Sequence, residues 1–282
     1  MIDLGLIGAK AAVIGAGYIP ERAGIGRAVA MNLARAGAAV ACIDLDPERA
    51  ESTAQAIRDE GGVAHAVVGN VLDSENITRA IDESASLLDG LDTVVDVIGT
   101  AWWSRAAETT DEDWERAIKM NLTQVFYALR ASIPHLVDGA AGSHRGASFT
   151  ALSSIDGMQS SRLHAAYGAA KAGVISLAQS FAEEYGPVGV RVNTVAPGNV
   201  GGGNSEDVPA AFGSSDVNPL APPRAQDIAD AVLYLSSKLA SRVTGQNILV
   251  DGGARMANTF PANEALLMPG RKPASYAEAA LS

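Results

Sequence analysis

Short apolar runs alternate with longer amphipathic stretches along most of the chain, and this alternation constrains the fold more than any single motif. The apolar runs have the length of buried strands, and the amphipathic stretches have the length and periodicity of helices. Strands that alternate with helices are typical of βαβ units, which build a parallel sheet with helices on both faces. We therefore predict an α/β protein with a doubly wound, seven-stranded parallel sheet.

The predicted strands and helices leave few gaps. Strands are predicted at residues 10–16, 38–43, 63–68, 91–98, 147–152, 188–195 and 247–250. Helices are predicted at 24–36, 47–60, 74–88, 111–136, in a segment that ends near residue 185, and at 226–237. Because all seven strands fit one sheet, we expect a single domain over residues 1–253 and a C-terminal extension at 254–282. The Gly-, Pro- and Ser-rich connection at 197–223 is too long for an ordinary loop and is a candidate lid.

Composition and charge favour a small-molecule ligand. The formal net charge of −11 argues against a nucleic-acid groove or an anionic membrane surface as partner, because both need a basic patch. No apolar run is long enough for a membrane span, and Asp3 and Lys10 interrupt the apolar N-terminal stretch. The only cysteine, Cys42, lies in an apolar strand, where we expect it to be buried. These features predict a cytoplasmic protein without an intrachain disulfide.

A glycine-rich turn separates the first strand from its helix. It contains Gly15, Gly17, Gly24, Ile25 and Gly26. At this place a dinucleotide pyrophosphate can contact backbone N–H groups and the N-terminus of the helix, and glycine permits the close approach. Tight strand-to-helix turns also use glycine for purely steric reasons, so the turn alone predicts a dinucleotide site only weakly.

An acidic residue, Asp44, ends the second strand. A carboxylate there can accept hydrogen bonds from a ribose 2′-hydroxyl and repels a 2′-phosphate, which favours NAD over NADP. The alternative is that Asp44 caps the helix that begins near Pro47. Arg22, in the glycine-rich turn, is the one residue that favours a phosphate.

Tyr167 and Lys171 lie four residues apart in a predicted helix, which places them on one face. An ammonium group near a phenol favours the phenolate, so Lys171 is predicted to lower the pKa of Tyr167 and make it a general acid or base. An exposed pair on an amphipathic helix would show the same spacing.

Several motifs in order resemble the short-chain dehydrogenase/reductase family over residues 8–253. They are the glycine turn with Gly15 or Gly17, Gly24 and Gly26, then Asn121, Ser154 thirteen residues before Tyr167, Tyr167 with Lys171, the segment 192–198, and the segment 250–253. Independent motifs at matching spacing are stronger than any one of them. The resemblance implies a Rossmann-like fold in which one domain both binds the dinucleotide and carries out catalysis.

The resemblance also implies an activity, namely hydride transfer between a nicotinamide cofactor and a secondary alcohol or ketone. Tyr167 would exchange the proton, Ser154 would bind the reacting oxygen, Lys171 would bind the nicotinamide ribose, and Asn121 would hold a water linked to Lys171. Taken alone, Ser154 could simply be a polar residue at the end of a strand, and Asn121 could mark a local bend in a helix. The expected cofactor contacts are Gly15, Gly17, Gly24, Ile25, Gly26, Asp44, Asn70, Val71, Gly99, Tyr167, Lys171, Pro197, Gly198 and Val200.

No metal is expected, because the four histidines lack ligand spacing. The resemblance further implies a homo-oligomer, either a tetramer or a dimer.

Three features depart from the family pattern. Residues 18–23 lengthen the glycine turn, Asn70-Val71 stands where the family has Asp-Val, and Asp96-Val97-Ile98-Gly99 replaces Asn-Asn-Ala-Gly. An aspartate in an apolar strand, Asp96 could carry a raised pKa or a buried partner, although a hydrogen-bonded structural acid is the favoured interpretation.

The substrate is predicted from aromatic residues only. Trp102 and Trp103 follow a strand's carboxyl end, where doubly wound folds bind ligands, although packing between subunits explains them equally well. They suggest an apolar cyclic or aromatic alcohol. His164 could touch substrate, but a solvent-facing loop position is favoured. The apolar tail at 256–281 could cover the pocket or contact a neighbouring subunit.

Two rival functions remain open. The lengthened glycine turn resembles that of enoyl-thioester reductases of the same superfamily, but their Tyr-x6-Lys spacing would need tyrosine where His164 stands. A non-catalytic dinucleotide-binding protein would keep the fold without the chemistry. Tyr167 and Lys171 are both present, which argues against this second rival.

Overall fold

The computed structural model describes residues 2–19, 24–141, 143, 145–159, 161–200, 220 and 222–257. Within them, seven strands form one parallel sheet in the order β3-β2-β1-β4-β5-β6-β7, which confirms the predicted doubly wound α/β fold. The strands are β1 (Lys10–Ile14), β2 (Ala39–Asp44), β3 (Ala64–Val68), β4 (Thr93–Asp96), β5 (Ala147–Leu152), β6 (Val190–Pro197) and β7 (Asn247–Val250).

The helices cover both faces of the sheet. They are α1 (Ile25–Arg35), α2 (Pro47–Asp59), α3 (Ser74–Leu88), α4 (Asp111–Ile118), α5 (Gln124–Ala140), α6 (Ala165–Tyr185), α7 (Ala225–Ser236) and α8 (Ala254–Ala257). One core cluster joins α3, α5 and α6 to the sheet, and a second joins α1, α2 and α7 to the opposite face. Ala12 and Ile14 enter the first cluster while Ala11 and Val13 enter the second, so β1 is apolar throughout.

The order of the strands creates a crevice at one edge of the sheet. β1 pairs with β2 on one side and with β4 on the other, so the connections that leave β1 and β4 run in opposite directions. Ligands of doubly wound folds bind outside the carboxyl ends of the strands at such a switch point. The ends of β1 and β4, at Ile14 and Asp96, mark this place.

The helix predicted at 111–136 is interrupted, so that prediction is wrong in one respect. A five-residue π turn, Lys119–Thr123, separates α4 from α5 and contains the fully buried Asn121. A π turn adds one residue to a helical turn and occurs frequently at functional sites. Here it lies beside the crevice, next to the loop that follows β4.

Other predictions have different outcomes. Cys42 is buried as expected, and burial raises the pKa of its thiol to about 12. Most of the candidate lid and the tail beyond residue 257 lie outside the described residues. The domain boundaries therefore stay predictions. Within the described ranges, no helix combines the length and apolar character that a membrane crossing requires.

Candidate active site

A cleft of about 520 Å³ lies at the carboxyl ends of the strands around the switch point. Nine predicted cofactor residues line it: Gly15, Gly17, Gly24, Ile25, Gly26, Asp44, Asn70, Val71 and Gly99. Residues far apart in the sequence therefore share one cleft of a size suited to a small organic ligand. Ile19, Arg49 and Thr100 also line it and were not predicted.

The glycines bring backbone into contact with backbone. A Cβ on Gly26 would lie 1.9 Å from the carbonyl oxygen of Gly15, and Gly15 itself has a φ of 84°. Helix α1 begins just after Gly24, with no acidic residue in its first turn. The N–H groups of that turn and the helix dipole are therefore not neutralised by a carboxylate of the same turn. This cradle fits the pyrophosphate of a dinucleotide.

Asp44 faces the same cleft and is not a helix cap, so the alternative considered for it is wrong. Its Oδ2 accepts a hydrogen bond from the N–H of Gly17 at 3.0 Å, and its Oδ1 accepts one from the N–H of Asp46 at 3.1 Å. The cap of α2 is Asp46, whose Oδ1 accepts from the N–H groups of Glu48 and Arg49. Arg22 lies outside the described residues.

Ser154 and Tyr167 are brought together by a close approach of two elements. Ser154 follows β5, and its Oγ accepts a hydrogen bond from the N–H of Asp156 at 3.1 Å. The turn at Ile155–Gly157 packs on α6, because a Cβ on Gly157 would lie 2.7 Å from the carbonyl carbon of Lys171. Tyr167, in the first turn of α6, lies close enough to Ser154 for that side chain to lower the pKa of the phenol.

Lys171 is almost fully buried, one helical turn beyond Tyr167. Its Nζ donates a hydrogen bond to the carbonyl oxygen of Leu152 at 2.8 Å and lies 5.9 Å from the centre of the Tyr167 ring. Burial lowers the pKa of Lys171 to about 8, and the negative charge of Asp96 opposes that shift.

The prediction that Lys171 lowers the pKa of Tyr167 is wrong for this structure. Burial raises the pKa of Tyr167, the hydrogen bond from Ser154 lowers it, and the charge of Asp156 raises it further. The ammonium of Lys171 is directed to backbone carbonyls of Leu152 and Ile98 and not to the phenol. At neutral pH the ring is therefore a phenol that can donate a proton.

Asn121 fastens the loop that follows β4. Its Nδ2 donates hydrogen bonds to the carbonyl oxygens of Thr100 and Ala117, and its Oδ1 accepts one from the N–H of Thr100. A Cβ on Gly99 would lie 2.7 Å from Lys171 Nζ and 3.0 Å from Asn121 Oδ1. Lys171 and Asn121 thus meet at Gly99, where a larger residue would not fit. Both Nδ2 hydrogens are in use, so only Oδ1 remains to hold a water.

Asp96, at the end of β4, is a buried acid beside this group. Its Oδ1 accepts a hydrogen bond from the N–H of Ile98 at 2.9 Å, while its Oδ2 is buried without a hydrogen bond among the described residues. Burial raises its pKa to about 6, although the Ile98 N–H and the charge of Lys171 act in the opposite direction. Asp96 is therefore a hydrogen-bonded acid, which was the favoured interpretation, and its pKa is also raised, which was the alternative.

This pKa predicts a pH-dependent effect of Asp96→Asn on stability. The folded protein holds the Asp96 proton more tightly than the unfolded chain, so stability is lost as pH rises from 3.8 to about 6. Asparagine removes that loss. We expect the free energy of unfolding of the variant, relative to the wild type, to rise across this interval by on the order of 3 kcal/mol in urea titrations.

Asp59→Asn, the same change on an exposed carboxylate of α2, is the control and should show no such trend. A constant difference between Asp96→Asn and the wild type from pH 4 to 7 would contradict the raised pKa of Asp96.

The last predicted cofactor residues lie along the same sheet edge but do not line the 520 Å³ cleft. Pro197 ends β6, and the N–H of Gly198 donates to the carbonyl oxygen of Val250 at 2.9 Å. A Cβ on Gly198 would lie 2.8 Å from the Cα of Asp251. Val200 packs against the core cluster of α1 and α7. Their contacts with a cofactor stay predictions.

A smaller cavity of about 140 Å³ adjoins Tyr167 and is lined in part by Trp102 and Trp103. The guanidinium of Arg116 lies 4.8 Å from the ring centre of Trp102.

His164 was expected to face solvent, and that expectation is wrong: its side chain is only 12% exposed and is paired with Asp156. Among the described residues, no group of three His, Cys, Asp or Glu side chains is arranged to hold a metal ion.

Asp156 was not identified from the sequence, although its place between Ser154 and His164 was a usable signal. It bonds to the ring of His164 and is two residues from Ser154. Thr100 was also missed, since its contacts with Asn121 involve only its backbone, which no side-chain pattern marks.

Known proteins are similar to this chain in sequence and in fold. A family model described as enoyl-(acyl carrier protein) reductase matches residues 19–255. The chain is 36% identical to cis-4-hydroxycyclohexanecarboxylate dehydrogenase of Sinomonas cyclohexanicum, over 82% of this chain and 92% of the relative. It is 34% identical to the 3-oxoacyl-(acyl-carrier-protein) reductase FabG of Aquifex aeolicus (strain VF5), with the same two coverages.

A solved structure, a dehydrogenase/reductase from Sinorhizobium meliloti 1021, superposes with a TM-score of 0.78 at 31% identity. The superposition covers 89% of this chain and 97% of that one. The similarity therefore extends over most of the chain.

Proposed function

The chain belongs to the short-chain dehydrogenase/reductase family of oxidoreductases, which bind a nicotinamide dinucleotide, and we propose that it interconverts a secondary alcohol and a ketone with NAD. The observation that carries this proposal is the meeting of Ser154, Tyr167 and Lys171 beside the glycine-lined cleft. A phenol, a hydroxyl and a buried amine at the mouth of a dinucleotide cradle suit proton exchange with an alcohol oxygen.

Each of these residues would have a separate role in the reaction. The nicotinamide, when bound, supplies the hydride acceptor or donor. As the phenolate, Tyr167 would take the proton of the substrate hydroxyl while the carbinol hydrogen leaves with its electron pair. In the reverse direction, the phenol returns a proton to the carbonyl oxygen. Ser154 holds that oxygen, Lys171 holds the ribose hydroxyls, and Asn121 fixes the loop at Thr100. Because the pKa of Tyr167 is raised, alcohol oxidation should gain rate as pH rises.

The preference for NAD rests on Asp44. Its carboxylate stands at the carboxyl end of β2, lines the cleft and is tied to the glycine turn through Gly17. That position suits a hydrogen bond with a ribose hydroxyl, and its negative charge disfavours a 2′-phosphate.

We expect Asp44→Ala to lower the ratio of kcat/KM for NAD to kcat/KM for NADP by roughly 10- to 100-fold. The variant removes both the acceptor for the ribose hydroxyl and the repulsion of the phosphate. The ratio is measured with one alcohol and both cofactors. Asp46→Ala is the control: it removes a charge two residues away and a helix cap worth about 1 kcal/mol, but should keep the ratio. An unchanged ratio in Asp44→Ala would show that another group selects the cofactor.

The substrate class is an apolar cyclic secondary alcohol. Trp102 and Trp103 line the cavity next to Tyr167, and a relative acts on a hydroxylated cyclohexane ring according to its name. A panel of cyclic and acyclic secondary alcohols, assayed with NAD and NADP by the absorbance of the reduced nicotinamide, tests the proposal. Turnover of no alcohol and reduction of no ketone would refute it.

Reduction of an enoyl thioester is the second candidate, because the matching family model carries that description. The arrangement of Tyr167 and Lys171 on consecutive turns of α6 argues for carbonyl chemistry instead. An assay with crotonyl-CoA and a reduced nicotinamide cofactor separates the two functions. Consumption of the reduced cofactor without alcohol dehydrogenation would favour the second candidate.

We also propose a homo-oligomer, either a tetramer or a dimer, in the cytoplasm. Trp114 in α4 and Phe126 in α5 are partly exposed apolar side chains on neighbouring helices, which supports a contact between subunits. The single buried cysteine, Cys42, is compatible with a reducing compartment. Light scattering of the purified protein would give the number of subunits.

A further inference from the structure

A histidine–aspartate pair lies immediately next to Tyr167. Nδ1 of His164 lies 2.6 Å from Oδ2 of Asp156, and the hydroxyl of Ser161 donates to Oδ1 of the same carboxylate. A carboxylate only accepts hydrogen bonds, so Nδ1 carries the hydrogen. In the neutral ring, Nε2 is therefore an acceptor with a free lone pair.

That acceptor has no partner in the described part of the chain. Nε2 of His164 is buried and makes no hydrogen bond there, although the opposite side of the ring is fixed by Asp156. Buried polar atoms without partners are uncommon and usually mark a missing ligand or water. The imidazole is therefore held in place by the hydrogen bond at Nδ1, while Nε2 can accept a hydrogen bond from a bound ligand.

His164 lies between Leu163 and Ala165, two residues that line the 140 Å³ cavity next to Tyr167. The centre of its ring is 4.3 Å from the indole of Trp103 and 5.7 Å from the ring of Tyr167. Trp103, whose indole is tilted by 56° against this ring, is 72% exposed, so its side chain can move aside without disturbing the core. The imidazole is thus a direct neighbour of the proposed proton donor, under an aromatic cover.

The backbone holds this position at a cost. Leu163, just before His164, has a φ of 66°, which is unfavourable for any residue other than glycine. The N–H of Ser104 donates to the carbonyl oxygen of Leu163 at 3.0 Å, and the N–H of Gly168 donates to that of His164 at 2.7 Å. Strained backbone that is held from several directions is found mostly at functional sites.

The chemistry around the ring favours a neutral hydrogen-bond donor as its partner. The negative charge of Asp156 is adjacent, which disfavours an anion at the ring when it is neutral. Arg116, which lines the neighbouring cavity, is already paired with Asp113 at 2.6 Å. A hydroxyl satisfies Nε2 without introducing a charge.

We propose that His164, oriented by Asp156, accepts a hydrogen bond from a second hydroxyl of the substrate, so that the preferred substrate is a cyclic diol and not a simple alcohol. The proposal rests on the proposed alcohol dehydrogenase function. In it His164 determines specificity, and the proton transfer stays with Tyr167.

The test compares cyclohexanol with cyclohexane-1,2-, 1,3- and 1,4-diols in the wild type and in His164→Phe. Phenylalanine keeps an aromatic ring against Trp103 and Tyr167 but removes the acceptor. At least one diol should exceed cyclohexanol in kcat/KM by about tenfold in the wild type. His164→Phe should remove that preference and change the value for cyclohexanol by less than about threefold.

The matched control is His135→Phe, which breaks a surface pair of the same chemistry between His135 and Asp82 and should leave the diol preference intact. An equal loss for diol and cyclohexanol in His164→Phe would overturn the proposal, because His164 would then only support Tyr167. A preference confined to 4-hydroxycyclohexanecarboxylate would overturn it too, since a protonated ring would then bind an anion.

A binding measurement separates this proposal from the proposed function. In Tyr167→Phe with NAD bound, the best diol should bind about tenfold tighter than cyclohexanol by tryptophan fluorescence, and the added His164→Phe should abolish the difference. Equal binding of diol and cyclohexanol overturns the diol subsite. Absence of hydride transfer from every alcohol in the wild type, with diol-selective binding retained, would refute the dehydrogenase function and leave the subsite supported.

Discussion

Tyr167→Phe is expected to reduce turnover by roughly 10²- to 10⁴-fold while the protein still binds NAD. The phenol is the group next to Ser154 that can exchange a proton with an alcohol oxygen, and phenylalanine removes only that oxygen. The ring contacts with His164 and the fold of α6 should persist. Steady-state rates with the best alcohol, and a fluorescence titration with NAD, measure the two effects separately.

Tyr185→Phe is the matched control, because it removes the same oxygen at the other end of α6. Its turnover should equal that of the wild type. Wild-type turnover in Tyr167→Phe would disprove the assigned role, and loss of NAD binding in that variant would mean that Tyr167 mainly shapes the site.

Gly26→Ala is expected to abolish NAD binding and to lower the free energy of unfolding by on the order of 3 kcal/mol. A Cβ at this position would lie 1.9 Å from the Gly15 carbonyl oxygen, and both groups belong to backbone that has no side-chain freedom to adjust. The turn must therefore open, which displaces the N–H groups that would contact the pyrophosphate. Urea unfolding and calorimetric titration with NAD measure both losses.

The control for this change is Gly186→Ala, where a Cβ meets nothing within 4 Å and the backbone is already helical. It should be neutral or slightly stabilising, since alanine restricts the unfolded chain. Retained NAD affinity in Gly26→Ala would show that the cofactor does not depend on this turn.

The fold could be predicted from sequence because hydrophobic periodicity determines it directly. Strands buried on both faces, such as β1 with Ala11 to Ile14, appear as continuous apolar runs between amphipathic helices. The bounds of α3, β5 and β7 were predicted to the residue. The π turn at Lys119–Thr123 was not predicted, because one extra residue within a helix leaves no Gly or Pro signal.

The site was predicted less completely than the fold. Spacing shows which residues share a helix face, as for Tyr167 and Lys171, but not which atoms they contact. No pattern in the sequence indicates that Lys171 donates to the carbonyl of Leu152 or that Asp156 raises the pKa of Tyr167. His164 was predicted to face solvent because loop residues usually do. Its side chain is instead buried by contacts with Trp103, which is distant in sequence, and with Asp156, which lies across a turn.

The π turn between α4 and α5 makes this stretch intolerant of changes in length. Removing one residue there would restore a regular helix, and each residue of such a helix rotates by about 100° about its axis. The amide of Asn121 would then turn away from Thr100. The helix would be more regular, but the loop beside Gly99 would lose its hydrogen bonds to Asn121. The number of residues from α4 to α5 therefore determines the direction in which the Asn121 amide points.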